Sequence, residues 1–207
     1  MSSEKNFIKI SEEDLKKHLS EDEYADYLDS KKVEKLEEAT PEIKQDFLSF
    51  VKYVWPEFIE GSHHKKINKK FNDLASGKIK RLIINMPPRH TKSEFASYLL
   101  PAWMIGQDPK LKIIQATHTA DLAIDFGRKT KNLVDNPEYQ EVFETRLMED
   151  SQAAGKWKTE QGGEYFAAGV GGAITGRGAD LLIIDDPHKE QDIKKDSKSF
   201  DKAWNWY

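Results

Sequence analysis

The segment RLIINMPPRHTKSEFAS, residues 81–97, joins a short apolar run, a proline-containing loop and a Lys-Ser pair that precedes a helical pattern. Such a loop binds phosphate when its backbone N–H groups lie at a helix N-terminus, a lysine reaches the β- and γ-phosphate oxygens and a hydroxyl binds Mg²⁺. Lys92 and Ser93 stand at the positions of that lysine and that hydroxyl. The pattern predicts a nucleotide-binding loop made of Pro88, Arg89, His90, Thr91, Lys92 and Ser93.

The loop departs from the usual G-x-x-x-x-G-K-[ST] pattern because Met86 and Thr91 occupy its two glycine positions. Glycine permits backbone angles that other residues adopt only with strain. Pro87 and Pro88 fix φ instead and stiffen the loop, while Thr91 is small enough to be tolerated with some strain. Taken alone, these residues are also compatible with an ordinary strand-to-helix turn that exposes a lysine and a serine.

A second motif, LLIIDD at residues 181–186, places two carboxylates at the end of an apolar run. Ligands of open α/β sheets bind at the carboxyl ends of the strands, so a phosphate loop and an acid at two strand ends predict a Mg²⁺–nucleotide site. In such a site Asp185 would hold the metal together with Ser93, and Asp186 would act as general base on the attacking water. The alternative is a pair of solvated aspartates before a turn-forming proline.

Apolar periodicity predicts the elements that must position these residues. Short runs typical of buried strands cover 81–86, 111–117, 164–170 and 181–184. Helical spacing predicts a helix capped by Thr40-Pro41 and ended at Trp55-Pro56, and a helix capped by Ser62 and closed by Gly77. It also predicts one helix over 93–100 interrupted at Pro101 and one over 120–134. The alternation of strands and helices predicts an α/β fold with a mostly parallel sheet flanked by helices on both faces.

The first forty residues have a different composition, with clustered acids and capping signals at Ser11 and Ser20. We interpret residues 1–40 as an acidic helical arm and residues 41–207 as the nucleotide-binding domain. The net charge of −4 gives no sign of a nucleic-acid-binding protein, so a surface that binds nucleic acid would have to be a local patch of basic residues. With no cysteine there is no disulfide framework or thiolate metal site, and no apolar run is long enough to span a membrane.

Four stretches together resemble the ATPase domain of the large terminase subunit of tailed bacteriophages, the motor that packages viral DNA: MPPRHTKSE, IIQATHTADLAIDFGR, GGEYFAAGVGGAITGRGADLLIIDDPHKE and WNWY. The resemblance runs from about Pro41 to Tyr207 and does not cover residues 1–40. It implies a P-loop NTPase fold of the RecA-like (ASCE) type that binds ATP and Mg²⁺. Two departures are Thr91 at the last loop glycine and the short Asp186 where glutamate is common in the wider class.

The resemblance also suggests roles for basic residues. Arg89 lies in the loop where the family often keeps a basic residue near the γ-phosphate. Arg177 resembles a position from which a neighbouring subunit presents an arginine finger, and its alternatives are a loop residue or a DNA contact. Arg128 is better explained by a surface ion pair. His63 and His64 could cap the following helix or flank the adenine pocket.

The family's partners are double-stranded DNA, the portal protein, the small terminase subunit and further copies of the chain in a ring, commonly of five. Its place of action is the host cytoplasm and, transiently, the procapsid portal. In the family a coupling strand and a metal-dependent nuclease domain follow, and this chain stops at Tyr207, before both, so no nuclease activity is expected. The alternatives are a helicase-like DNA translocase, a small-molecule phosphotransferase and a fragment that binds nucleotide without turnover.

Overall fold

The computed structural model describes residues 12–172, 174, 176–188 and 204–206. The chain divides into two compact units, Met1–Pro41 and Glu42–Tyr207. In the first unit lie α1 (Glu12–His18) and the greater part of α2 (Glu21–Gln45). The cap predicted at Ser20 is confirmed, since the Ser20 hydroxyl accepts from the Glu23 N–H at 3.3 Å and the Glu23 carboxylate accepts from the Ser20 N–H at 2.9 Å. The cap predicted at Ser11 lies outside the described residues.

The helix start predicted at Thr40-Pro41 is wrong. Both residues lie within α2, and the next helix, α3 (Phe47–Val54), has Asp46 as its N-cap. The Asp46 carboxylate accepts from the Ser49 N–H at 3.0 Å and from the side-chain amides of Asn68 and Asn72 at 2.7 Å each. Asp46 therefore satisfies the helix end and ties it to a second helix, which Thr40 does not. The predicted end at Trp55 is confirmed.

A five-stranded mixed sheet forms the middle of the second unit, in the order β2-β3-β4-β1-β5. The strands β4 (Glu164–Gly169), β1 (Lys112–Thr117) and β5 (Leu181–Asp185), the last of them at one edge of this sheet, are parallel and confirm three of the predicted strands. The hairpin of β2 (Leu147–Ala153) and β3 (Lys156–Thr159) adds an antiparallel edge that was not predicted. The sheet is therefore parallel only in part.

The strand predicted over residues 81–86 is wrong. The segment is not part of the sheet, and among the described residues its backbone makes no hydrogen bond to another backbone group. Its side chains alternate between exposed and half-buried, and Ile83 is 87% exposed. An apolar run favours an extended chain, but a strand also needs a neighbour to pair with, which this segment does not have among the described residues.

The helices that flank the sheet are α4 (Ser62–Ala75), a π-helix (Glu94–Leu99), α5 (Leu100–Gln107), α6 (Ala120–Val134) and α7 (Pro137–Val142). The helix over 120–134 is confirmed. The cap predicted at Ser62 is wrong by one residue, because Gly61 is the N-cap of α4 and Ser62 is its first residue. The interruption predicted at Pro101 is wrong, because helical structure continues to Gln107. Pro101 has no N–H to donate, and the chain adapts by a π turn in which the Leu100 N–H bonds to the Phe95 carbonyl.

An aromatic cluster fills the core beside the phosphate loop. Phe47 meets Phe71, Phe95 and Trp103 edge-on, with ring centroids 4.9 to 5.6 Å apart. All four side chains are buried, and the Trp103 indole donates to the Ile43 carbonyl at 3.1 Å. Such edge-to-face packing adds about 0.5–1.5 kcal/mol per pair beyond the burial of apolar area. The cluster thereby fixes Phe95, which stands in the first turn after the loop.

Candidate functional site

The two motifs of the sequence meet in the structure. Lys92 ends the loop over residues 87–92 and leads into the π-helix, and Asp185 is the last residue of β5. The Lys92 ammonium lies 3.0 Å from Asp185 Oδ1 and also pairs with Asp186 Oδ1. Residues 93 positions apart are thus joined at the carboxyl end of the parallel strands, where ligands of open α/β sheets bind.

The two aspartates stand in different environments. Asp185 is buried, and the Ser97 hydroxyl donates to its second carboxylate oxygen at 2.9 Å. Its two oxygens therefore each have a partner, Lys92 on one side and Ser97 on the other. The Asp186 side chain is 64% exposed and faces solvent except for Lys92. A fixed, buried carboxylate suits a metal ligand, and an exposed one suits proton transfer with water.

The Lys92 ammonium keeps its charge. Burial alone would lower its pKa, but hydrogen bonds and charge attraction from Asp186 and Asp185 outweigh burial and hold the pKa above its usual value. The ammonium is therefore present throughout the physiological range as a cation balanced by two carboxylates. A phosphate group that approaches Lys92 must compete with these carboxylates for it.

The backbone at the site is unusual. Of the described non-glycine residues, the three with positive φ all lie here: Arg89 and Thr91 at 62° and Asp186 at 43°. Left-handed backbone at residues other than glycine costs on the order of 1–3 kcal/mol each and tends to cluster at functional sites. Thr91 thus takes the conformation that the missing loop glycine would have taken.

The loop side chains are arranged around this backbone. Pro88, Arg89 and His90 are exposed, whereas Thr91, Lys92 and Ser93 are half-buried. His90 Nδ1 lies 2.8 Å from the Pro88 carbonyl oxygen, and the Thr91 hydroxyl donates to the His90 carbonyl at 2.6 Å. The Phe95 N–H donates to the Thr91 carbonyl at 2.9 Å and begins the helical turn.

Arg177 is not brought to Lys92 and the aspartates of the same chain. Its guanidinium pairs with Glu164 at 2.8 Å and lies over the Phe166 ring, 3.9 Å from the centroid. Glu164 pairs in register with Lys112 and Asp185 with Thr117, so the two ends of the parallel strands are five residues, roughly 16 Å, apart. A role of Arg177 in a neighbouring subunit stays a prediction. Arg128 forms the expected exposed ion pair with Asp125, at 2.9 Å.

Two residues that contact the site were not assigned to it from the sequence. Ser97 lies four residues after Ser93, a spacing that places both on one helical face and could have drawn attention to it. Of the two alternatives for His64, the helix cap is confirmed, since His64 Nδ1 accepts from the Gly61 N–H at 2.8 Å, and a place beside an adenine pocket stays a prediction. The contact of His64 with Thr91, at 2.9 Å, joins segments 27 residues apart and left no local signal in the sequence.

The donor set fits a magnesium ion that is shared with a nucleotide. Within the described residues, no group of three or more His, Cys, Asp or Glu is arranged to hold a metal ion by itself. Magnesium is commonly held by one or two carboxylates together with substrate phosphates and water. The Asp185 and Asp186 carboxylates next to the Ser93 turn supply oxygen ligands of that kind.

In the part of the chain that the structure describes, no helix combines the length and hydropathy needed to cross a membrane. Comparison of the chain with protein-family models, curated proteins and solved structures found no match. The geometry of the site and the motifs of the sequence are therefore the grounds for inferring function.

Proposed function

We propose that the second unit is a P-loop ATPase domain of the RecA-like type, and that the chain is the ATP-hydrolysing part of a large terminase subunit. In this role ATP hydrolysis would drive double-stranded viral DNA into a procapsid. The observation that carries the proposal is the contact of Lys92 with Asp185 and Asp186. It joins a loop that ends in Lys-Ser to a carboxylate pair at a strand end, the combination that nucleotide hydrolysis requires.

Each residue of the site has a role in this proposal. Lys92 leaves the carboxylates to bind the β- and γ-phosphate oxygens, and the loop N–H groups of Arg89, His90 and Thr91 bind the remaining phosphate oxygens. The Ser93 hydroxyl and Asp185 hold the magnesium ion, and Ser97 keeps Asp185 oriented toward it. Magnesium, when bound, neutralises negative charge on the phosphate oxygens. Asp186 accepts the proton of the attacking water, and Arg89 offers a cation to the γ-phosphate.

The partners and the location follow from the same proposal. A packaging motor contacts double-stranded DNA through its phosphates, works as a ring of copies, commonly five, and docks on the portal protein after the small terminase subunit has selected the DNA. Arg177 would then serve the site of the adjacent copy as an arginine finger. The place of action would be the cytoplasm of the infected host, with transient attachment to the procapsid portal.

The test is to incubate the purified chain with ATP and magnesium, with and without double-stranded DNA, and to measure nucleotide binding and phosphate release. Lys92→Ala removes the phosphate-binding ammonium and should abolish measurable binding. Lys110→Ala, a change of an exposed lysine before β1 at the opposite end of the sheet, is the matched control and should bind as the parent does.

The outcomes separate the candidate functions. Phosphate release that DNA stimulates supports the motor. Phosphorylation of an added nucleoside identifies a phosphotransferase, and binding without release identifies a nucleotide-binding domain without turnover. Equal affinity of Lys92→Ala and the parent would reject the loop as the binding site.

A further inference from the structure

The phosphate loop is held from outside by a histidine. His64 lies in the first turn of α4 and is 4% exposed. Its Nδ1 accepts from the Gly61 N–H at 2.8 Å, so the ring proton is on Nε2, which therefore donates to the Thr91 hydroxyl oxygen at 2.9 Å. The Thr91 hydroxyl in turn donates a hydrogen bond to the His90 carbonyl oxygen. Three hydrogen bonds in series thus run from α4 to the backbone of the loop.

The imidazole is fixed by its surroundings. Its ring centroid lies 4.7 Å from that of Phe58 and 4.9 Å from that of Phe95, which stacks on it at 27°. Phe95 in turn belongs to the buried aromatic cluster of the core. The donor nitrogen of His64 is therefore held at one position relative to the helix that follows the loop, and its hydrogen bond acts on Thr91 from a rigid support.

Thr91 is the loop residue that needs such support. Its φ of 62° is left-handed, and a β-branched side chain disfavours this region strongly. Phosphate loops usually have glycine at this position, and glycine adopts positive φ at little cost. Because position 91 is threonine in this chain, its left-handed backbone must be stabilised by contacts of Thr91 itself. The Thr91 side chain is held by the bonds of its hydroxyl to His64 and His90, and the Thr91 carbonyl accepts from the Phe95 N–H.

We propose that His64 is a positioning residue of the phosphate loop. Its hydrogen bond to Thr91 stabilises the left-handed backbone that a glycine at position 91 would adopt at little cost. The inference rests on the proposed function for its link to nucleotide binding, but the effect of His64 on the Thr91 backbone is separate from that function. His64 itself touches no nucleotide in this role. It acts through Thr91, whose geometry sets the direction of the N–H groups at the start of the helix.

A double-mutant cycle with ATP and magnesium tests the role. His64→Phe keeps an aromatic ring between Phe58 and Phe95 but removes the hydrogen bonds of the ring to Gly61 and Thr91. Nucleotide affinity should fall about tenfold, because the loop loses one buried hydrogen bond, that to Thr91. Thr91→Val keeps the β-branch without the hydroxyl and should lose about as much. The two changes together should cost little more than either one, because they remove the same bond.

The second arm of the cycle uses Thr91→Gly. With glycine at position 91 the backbone needs no support, so His64→Phe in that background should change affinity less than twofold. Loss of the α4 cap, which His64→Phe also causes, would instead weaken binding equally in both backgrounds. The positioning role would be overturned if His64→Phe weakened nucleotide affinity by the same factor whether position 91 holds threonine, valine or glycine.

A readout without nucleotide separates this inference from the proposed function. The Cα and Cβ chemical shifts of Thr91 report its backbone angles, and they should move away from left-handed values in His64→Phe. Unchanged shifts would overturn the positioning role even if the chain binds ATP. If the parent binds no nucleotide but the Thr91 shifts respond to His64→Phe, the proposed function fails and the role of His64 in holding the loop stands.

Discussion

The side chains of the candidate site form one connected charged cluster. Lys92 contacts Asp185 and Asp186 at once, and Asp185 is held on its other side by Ser97. Because Asp185 is buried and Asp186 is exposed, the first carboxylate suits metal binding and the second suits proton transfer with water. The sequence alone predicts both tasks, since a strand-end Asp-Asp pair and a Lys-Ser loop are recognisable patterns. The spacing of Ser97 from Ser93 places both on one helical face, but it does not identify the carboxylate that the Ser97 hydroxyl contacts.

Asp186→Asn separates binding from turnover. The amide cannot accept the proton of the attacking water, so hydrolysis should fall by about 10²–10⁴, the usual contribution of a general base. Nucleotide affinity should be kept or increased, because one of the two carboxylates that compete for Lys92 loses its charge. Phosphate release and equilibrium binding measured on the same preparation check both parts. Hydrolysis at the parent rate would assign the proton transfer to another group.

At the scale of elements, periodicity predicts what each segment prefers but not which neighbour it finds. β1, β4, β5 and α6 follow from apolar patterns, because their burial is reflected in runs of isoleucine, leucine and alanine. The hairpin of β2 and β3 escapes prediction because its strands are rich in polar residues and bury only a few side chains, Trp157 among them. Residues 81–86 show the reverse case, a strand-like run without a partner strand among the described residues.

The start of α3 shows how a long-range contact overrides a local signal. Thr40-Pro41 is a strong local cap, but Asp46 gathers hydrogen bonds from its own helix and from two asparagines of α4. Asn68 and Asn72 also accept from the Leu48 and Phe47 N–H groups at 2.8 and 3.0 Å. Three side chains thus satisfy the whole first turn. The pairing of α3 with α4 is set by this polar junction as well as by the aromatic core.

Asp46→Ala should destabilise the second unit by about 2 kcal/mol, the upper range for loss of a helix N-cap, since two asparagines also lose a partner. Urea unfolding measures the change, with the exposed Glu57→Ala as a control that should stay within about 0.5 kcal/mol of the parent. A loss no larger than that of the control would show that water replaces the carboxylate without cost.

The same carboxylate makes stability depend on pH. Burial raises the pKa of Asp46, but hydrogen bonds from Asn68, Asn72 and Ser49 outweigh burial and leave the pKa below its usual value. A lowered pKa in the folded state stabilises the protein above the unfolded pKa of about 3.9, and this contribution is lost as the pH falls through the folded value. The stability difference between the parent and Asp46→Ala should therefore shrink below about pH 4.

At the scale of the whole molecule, the site is asymmetric. The phosphate loop and the aspartates lie at the carboxyl end of the parallel strands, and Arg177 lies at the amino end, held by Glu164 and Phe166. Sequence motifs identify the members of the two groups but not the distance between them, because that distance depends on the strand register. A finger role for Arg177 therefore requires a second copy of the chain.

Mixing two inactive variants tests this role. Arg177→Ala lacks the finger and Asp186→Asn lacks the base, and each alone should be slow, with the finger worth on the order of 10³-fold or more. In mixed rings, a site with intact Asp186 can receive Arg177 from its neighbour, so the mixture should release phosphate faster than the sum of the separate variants. Arg128→Ala, which breaks only an exposed ion pair, is the control. Strictly additive rates would exclude a finger supplied in trans.

The extended segment before the phosphate loop has a consequence for how the protein behaves in solution. Residues 81–86 present backbone donors and acceptors without a neighbouring strand among the described residues, and Ile83 projects into solvent. Such a surface is a template to which a second copy can adhere. Lys80 precedes the segment and Arg81 is its first residue, and we expect their like charges to repel those of a second copy. Because salt screens that repulsion, self-association through this segment should grow with ionic strength.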